Sequence, residues 1–90
     1  MPRALTIQRT TVPASERATY FEKLRACRSH YVAANCRFWV FEESALTGAF
    51  IEFFEADDET TLTVAHANSP YRILDPARVY QETEIGKNAD

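Results

Sequence analysis

Apolar residues are concentrated in residues 36–56, CRFWVFEESALTGAFIEFFEA, where two runs rich in aromatic and β-branched side chains flank a break at 44–48. Such side chains suit a pleated surface and the break supplies a turn, so the stretch predicts a β-hairpin. With 44–47 as a four-residue loop, Glu43 faces Gly48. That register sets Arg37 opposite Phe54, Trp39 opposite Glu52 and Phe41 opposite Phe50 on one face, with Phe38 opposite Phe53 and Val40 opposite Ile51 on the other. Both faces are then largely apolar, whereas a hairpin with one wet face alternates apolar with polar residues. Helices of the same chain can cover one face. The simplest cover for the other is a second copy of the chain.

Outside the hairpin the pattern changes period. Residues 3–12 set Leu5 and Ile7 on one face against Thr6, Gln8 and Thr10 on the other, which predicts a first strand ending at Pro13. Over 14–34, Tyr20, Leu24, Cys27 and Tyr31 recur at helical spacing, with Glu22, Arg25 and Ser29 on the polar side. Asn35 follows as a cap that tolerates the left-handed conformation. A shorter helix is predicted over about 58–68, with acidic residues at its start, Leu62 and His66 on one face, and Asn68, Ser69 and Pro70 ending it. Residues 71–76 connect it to an alternating final strand over 78–85, and 86–90 read as a frayed tail. The order βαββαβ is that of an α+β, ferredoxin-like domain. Its antiparallel sheet carries both helices on one face and leaves the other open for a homodimer.

Ninety residues with 46% hydrophobic and 26% charged side chains describe one domain, 1–90, with a single core. A net charge of −3 and the lack of any Lys/Arg cluster argue against nucleic-acid binding. The first residues hold no apolar signal core, and no run reaches membrane-spanning length, so a cytoplasmic protein with no membrane partner is expected, its Cys27 and Cys36 reduced and buried. Gly-rich nucleotide loops, zinc-like His spacing and C-x-x-C are all missing, and no cofactor or metal is expected.

Three short patterns extend the comparison. They are a long first helix ending before Phe38-Trp39, the run Gly48-Ala49-Phe50 leading into Glu52-Phe53-Phe54-Glu55, and Ala65-His66-Ala67-Asn68-Ser69-Pro70 at the end of the second helix. With them the chain resembles the dimeric α+β barrel superfamily, in particular its small antibiotic-biosynthesis-monooxygenase-like members. The resemblance implies two sheets facing each other across a dimer, and a pocket in each subunit between sheet and helices. It also implies cofactor-independent oxidation of an aromatic or quinol-type small molecule. Haem-degrading relatives carry an Asn on the first strand where this chain offers Thr6 and Gln8, which argues against haem chemistry.

Six residues stand out as candidates. On the apolar side of the second helix, where the resemblance also implies a His, His66 can take a proton from a phenolic substrate or serve as a partly buried structural imidazole. Glu52 is a charge within an apolar strand, so it reads either as an acid–base group or as part of an ion pair, with Arg37 as the partner. Trp39 is a pocket wall or an interface anchor, and Tyr20 and Tyr31 turn their hydroxyls into the pocket or brace the core. His30 ranks below His66 because it lies off the apolar stripe. The expected function is a homodimeric, cofactor-independent monooxygenase using His66 and Glu52 for proton transfer. The alternatives are a non-catalytic ligand-binding or dimerisation module and an acid–base isomerase or cyclase.

Overall fold

Alternation over the first strand and the apolar density of the hairpin produce three long strands in the computed structural model, which describes residues 2–86. They are β1 (Ala4–Thr11), β2 (Cys36–Glu42) and β3 (Ala49–Ala56); a short β4 (Tyr80–Gln81) completes an antiparallel sheet in the order β2-β3-β1-β4. Pro13 ends β1 and leads into a single 3-10 turn (Ala14–Glu16), and α1 (Arg17–Ala33) follows. At the end of α1, Asn35 takes φ 64°, the left-handed conformation in which Asn is better tolerated than most side chains. The second helix, α2 (Glu59–Ala67), starts at Asp58, whose carboxylate accepts from the Thr61 N–H at 2.7 Å and so satisfies one of the free amides of the first turn.

The core lies on one face of the sheet. Ala4, Phe54, Ala56 and Cys36 from the strands meet Cys27 and Tyr31 of α1 and Leu62 and Ala65 of α2, and Ile73 closes the cluster from the segment after α2. The expected stripe on α1 is in place, with Tyr20, Cys27 and Tyr31 buried and Leu24 half-buried. Over the opposite face no element packs among the described residues: Trp39 is 46% exposed and Phe41 58%, beside half-buried Leu5, Ile7, Ile51 and Phe53.

Two expectations are corrected. The hairpin register is one residue out, because Gly48 belongs to the turn rather than to β3. Its φ of +92° is a left-handed conformation, its N–H donates to Glu42 at 2.9 Å, and its carbonyl accepts from Val12 at 2.8 Å. The loop is therefore one residue longer, and Arg37 faces Glu55, Trp39 faces Phe53 and Phe41 faces Ile51. Side chains alternate with period two, so the slip moves Glu52 to the face opposite Trp39 and Arg37. The final strand is also far shorter than 78–85. Its pairs with β1 are Leu5 with Tyr80 and Ala4 with Gln81, and the Glu82 N–H reaches the Arg3 carbonyl at 2.8 Å. On the other side the Arg78 and Val79 amides bond locally, to Asp75 and Ala77. Of the expected frayed tail, residues 87–90 lie outside the described residues.

A Cβ at position 48 would sit 2.5 Å from the Val12 carbonyl oxygen, with the strain of a positive φ added. Gly48→Ala should therefore cost about 1–3 kcal/mol of stability. The check is a urea unfolding midpoint; an unchanged midpoint would mean that the turn does not set the register.

Candidate functional site

On β1 the face toward the helices carries polar residues beside buried Ala4. Thr6 and Gln8 share the covered face with Phe54 and Glu52, their register partners on β3, while Leu5 and Ile7 lie on the open face. Two polar clusters result, side by side along the strands, each completed by a tyrosine of α1.

The first is built on Glu52, which is 3% exposed. One carboxylate oxygen, Oε2, accepts the Tyr20 hydroxyl at 2.6 Å, and the other, Oε1, accepts the Gln8 side-chain amide at 3.0 Å. Burial and the bond to Glu52 push the Tyr20 phenol well above its ordinary range, so it stays protonated and donates. Among the described residues Glu52 has no ion-pair partner. A buried carboxylate held only by neutral donors keeps lone pairs free to accept from a protic ligand.

The second cluster is built on His66. Its Nε2 lies 2.7 Å from the Thr6 hydroxyl and its Nδ1 2.7 Å from the Tyr31 hydroxyl. Burial brings the imidazole down to about 4, with His30 nearby adding to the effect, and pushes Tyr31 up to about 12. The ring is therefore neutral at pH 7, giving one hydrogen bond and accepting the other, and both nitrogens are occupied inside the protein. His30 bonds to the Ala65 carbonyl at 2.8 Å; since a carbonyl only accepts, its Nε2 carries the proton.

Glu52, Tyr20 and Gln8 form the inner end of a cleft of about 400 Å³ between β1, the start of α1 and the segment after α2, where Lys23, Tyr71, Arg72 and Leu74 also line it. That volume admits a one- or two-ring molecule. A second cleft of about 470 Å³ lies on the other side of Tyr71 and Arg72 and reaches His66. It meets the ring with both nitrogens already committed.

Of the six candidates, four gather beneath the helices in two pairs, Glu52 with Tyr20 and His66 with Tyr31. The other two do not join them. Trp39 is on the open face, and Arg37 pairs with Glu55 and Asp57 there rather than with Glu52. Gln8 and Thr6 were not among the candidates; the partial alternation of β1 sets them on one face with Ala4, and it is the full burial of Ala4 in the structure that marks that face as the covered one. Cys27 and Cys36 are free and buried, and burial raises both thiols, which keeps them protonated and poorly reactive. Among the described residues no three His, Cys, Asp or Glu side chains come together in a way that would hold a metal ion.

The depressed imidazole makes stability depend on pH. Between the ordinary 6.5 and about 4 the unfolded chain binds a proton at His66 that the folded chain refuses. Stability from this source is therefore complete above about 6.5 and falls as the pH drops toward 4, by on the order of 3 kcal/mol. Glu42, which the Arg17 guanidinium holds down to about 2, loses its contribution only below its ordinary 4.5. Urea midpoints measured from pH 7 to pH 4.5 should fall in the wild type and much less in His66→Gln; equal slopes would remove His66 as the cause. Comparison of the chain with protein-family models, with curated proteins and with solved structures gives no match in any of the three.

Proposed function

We propose that the chain is a ferredoxin-like domain of the dimeric α+β barrel type, working as a cofactor-independent monooxygenase on an aromatic or quinol-type small molecule bound in the Glu52 cleft. The observation that carries this reading is the Glu52 carboxylate itself, buried at the inner end of an open cleft and held by Tyr20 and Gln8 without a cation. In this reading Glu52 takes a proton from the acidic C–H or O–H of the substrate. The substrate anion supplies electrons to dioxygen, and the peroxide formed on carbon loses water, so a CH₂ and O₂ become C=O and H₂O. Tyr20 and Gln8 hold the carboxylate toward the cleft. His66 serves through Thr6 and Tyr31, bracing α2 against β1 and α1, and meets no substrate atom.

The strand order and the uncovered apolar face support pairing with a second copy. Leu5, Ile7, Trp39, Phe41, Ile51 and Phe53 form its centre, with Arg3, Arg37 and Glu55 at one end. This composition, aromatic in the middle and charged at the rim, is that of a protein interface. Trp39 then belongs to assembly rather than to the substrate.

A second reading is favoured by one observation: both Glu52 oxygens already have internal donors, as suits a ligand-binding module whose carboxylate only orients a guest. An acid–base isomerase or cyclase would use the same cleft and turn substrate over without oxygen.

Oxygen uptake with a panel of hydroquinones and anthrone-like ketones separates these readings. Glu52→Gln should lower kcat at least about 100-fold while thermal stability stays near wild type. Uptake that survives the substitution sinks the assignment of Glu52, and turnover without uptake moves the protein to the isomerase class. For the dimer, light scattering should give twice the chain mass for the wild type and the chain mass for Trp39→Glu; a wild-type monomer at micromolar concentration would reject the pairing.

A further inference from the structure

Gln8 connects the Glu52 carboxylate to the segment that walls the cleft. Its Nε2 donates to Glu52 Oε1 at 3.0 Å, and its Oε1 accepts the Leu74 backbone N–H at 2.9 Å. The second contact fixes the direction of the first. An N–H can only donate, so the amide oxygen of Gln8 must face Leu74, its NH₂ must face Glu52, and the Glu52 oxygen it meets must accept. If the amide turned over, both contacts would fail at once.

We propose that Gln8 is a positioning residue that couples docking of segment 69–76 onto the sheet to the ionised form of Glu52. With the segment docked, Gln8 is an obligate donor and holds Glu52 Oε1 as an acceptor. With the Leu74 contact open, the Gln8 amide is free to turn and offer its oxygen, which favours a protonated carboxyl. Among the described residues that hydrogen-bond Glu52, Gln8 is the one whose role the segment sets. Tyr20 from α1 is a donor to the other oxygen, Cys27 is a protonated thiol, and Val40 opposite on β2 is apolar. The charges lining the cleft are Lys23, Glu16 and Glu22 from the helical side and Arg72 from the segment, and none of them forms an ion pair with Glu52 among the described residues. The segment has its own anchors in buried Ile73 and in Tyr71, whose ring lies 5.3 Å from the Lys23 ammonium. It therefore can stay attached while the Leu74 contact opens and closes.

This coupling takes its use from the reading of Glu52 as the proton-handling group. A closed cleft then holds its base unprotonated and ready, and an open one favours the protonated carboxyl. Coupling between two sites is reciprocal, so neutralising Glu52 must loosen Leu74. In Glu52→Gln one carbonyl oxygen replaces two carboxylate oxygens and Tyr20 competes for it, leaving Gln8 without a firm acceptor.

The test is NMR on the full chain. At neutral pH the Leu74 amide should exchange about tenfold faster in Glu52→Gln than in the wild type, while amides of the β2–β3 ladder keep their protection. In the unsubstituted protein, the Leu74 amide resonance should move on acidification with the midpoint of the Glu52 side-chain carbon, and this shared response should vanish in Gln8→Leu. Should Glu52→Gln fail to fold, that titration decides alone. Leu74 protection unchanged in folded Glu52→Gln, or a Leu74 resonance that ignores the Glu52 titration, overturns the coupling. Loss of oxygen uptake in Glu52→Gln with Leu74 unaffected would reject the coupling and keep the proposed chemistry; a loosened Leu74 with uptake intact would do the reverse.

Discussion

Gly48 holds the hairpin in register through two backbone contacts, an N–H given to the Glu42 carboxylate and a carbonyl that receives the Val12 N–H. The first closes the turn between β2 and β3, and the second ties that turn to the end of β1. Glu42 in turn receives both terminal nitrogens of Arg17 at 2.8 Å, so the first turn of α1 is fixed to the same corner. Paired bonds of this kind add direction to attraction. Each face of the sheet follows from this corner, because a slip of one residue would bring Trp39 and Glu52 to the same side.

Once that register is set, the covered face must accommodate a carboxylate, an imidazole and three hydroxyls. Every one of them finds a partner, and no buried side-chain nitrogen or oxygen is left unbonded among the described residues. A satisfied polar network in a core fixes geometry more strictly than apolar contact does, since each bond has a direction as well as a distance. The two clusters differ in what remains available. Around His66 both nitrogens are spent between strand and helices, whereas Glu52 has lone pairs left over and a cleft beside it. That contrast, more than proximity to a cleft, distinguishes the two clusters.

Much of the element order was legible in the residues themselves. Period two over β1 and the hairpin, period 3.6 over α1, the left-handed Asn35 and the acidic start of α2 each have a local physical cause, and each appears within a residue or two of its expected place. What escaped depends on partners distant in sequence. Alternation on β1 separates two faces without saying which is inside, and here the covered face carries Thr6 and Gln8. The register turned on whether one glycine lay in the strand or in the turn, a matter of its φ. Glu52 and Tyr20 could be picked from their patterns, whereas Gln8 is a neutral amide at an alternating polar position, where solvent is the ordinary neighbour. The start of β4 depended on where the Arg78 and Val79 amides bond, which is within their own turn rather than to β1.

The position of β1 between β3 and β4 bears on how the chain reaches this state. β2 and β3 are neighbours along the chain and close a short loop, while β1 must wait for β3 across the whole of α1 and β2. Closing the longer loop costs more chain entropy before any contact repays it. Pairing within the hairpin is thus the less costly closure, and pairing of β1 with β3 the more costly one. Because Thr6 and Gln8 arrive with β1, both polar clusters are completed together, in the same event that closes the sheet.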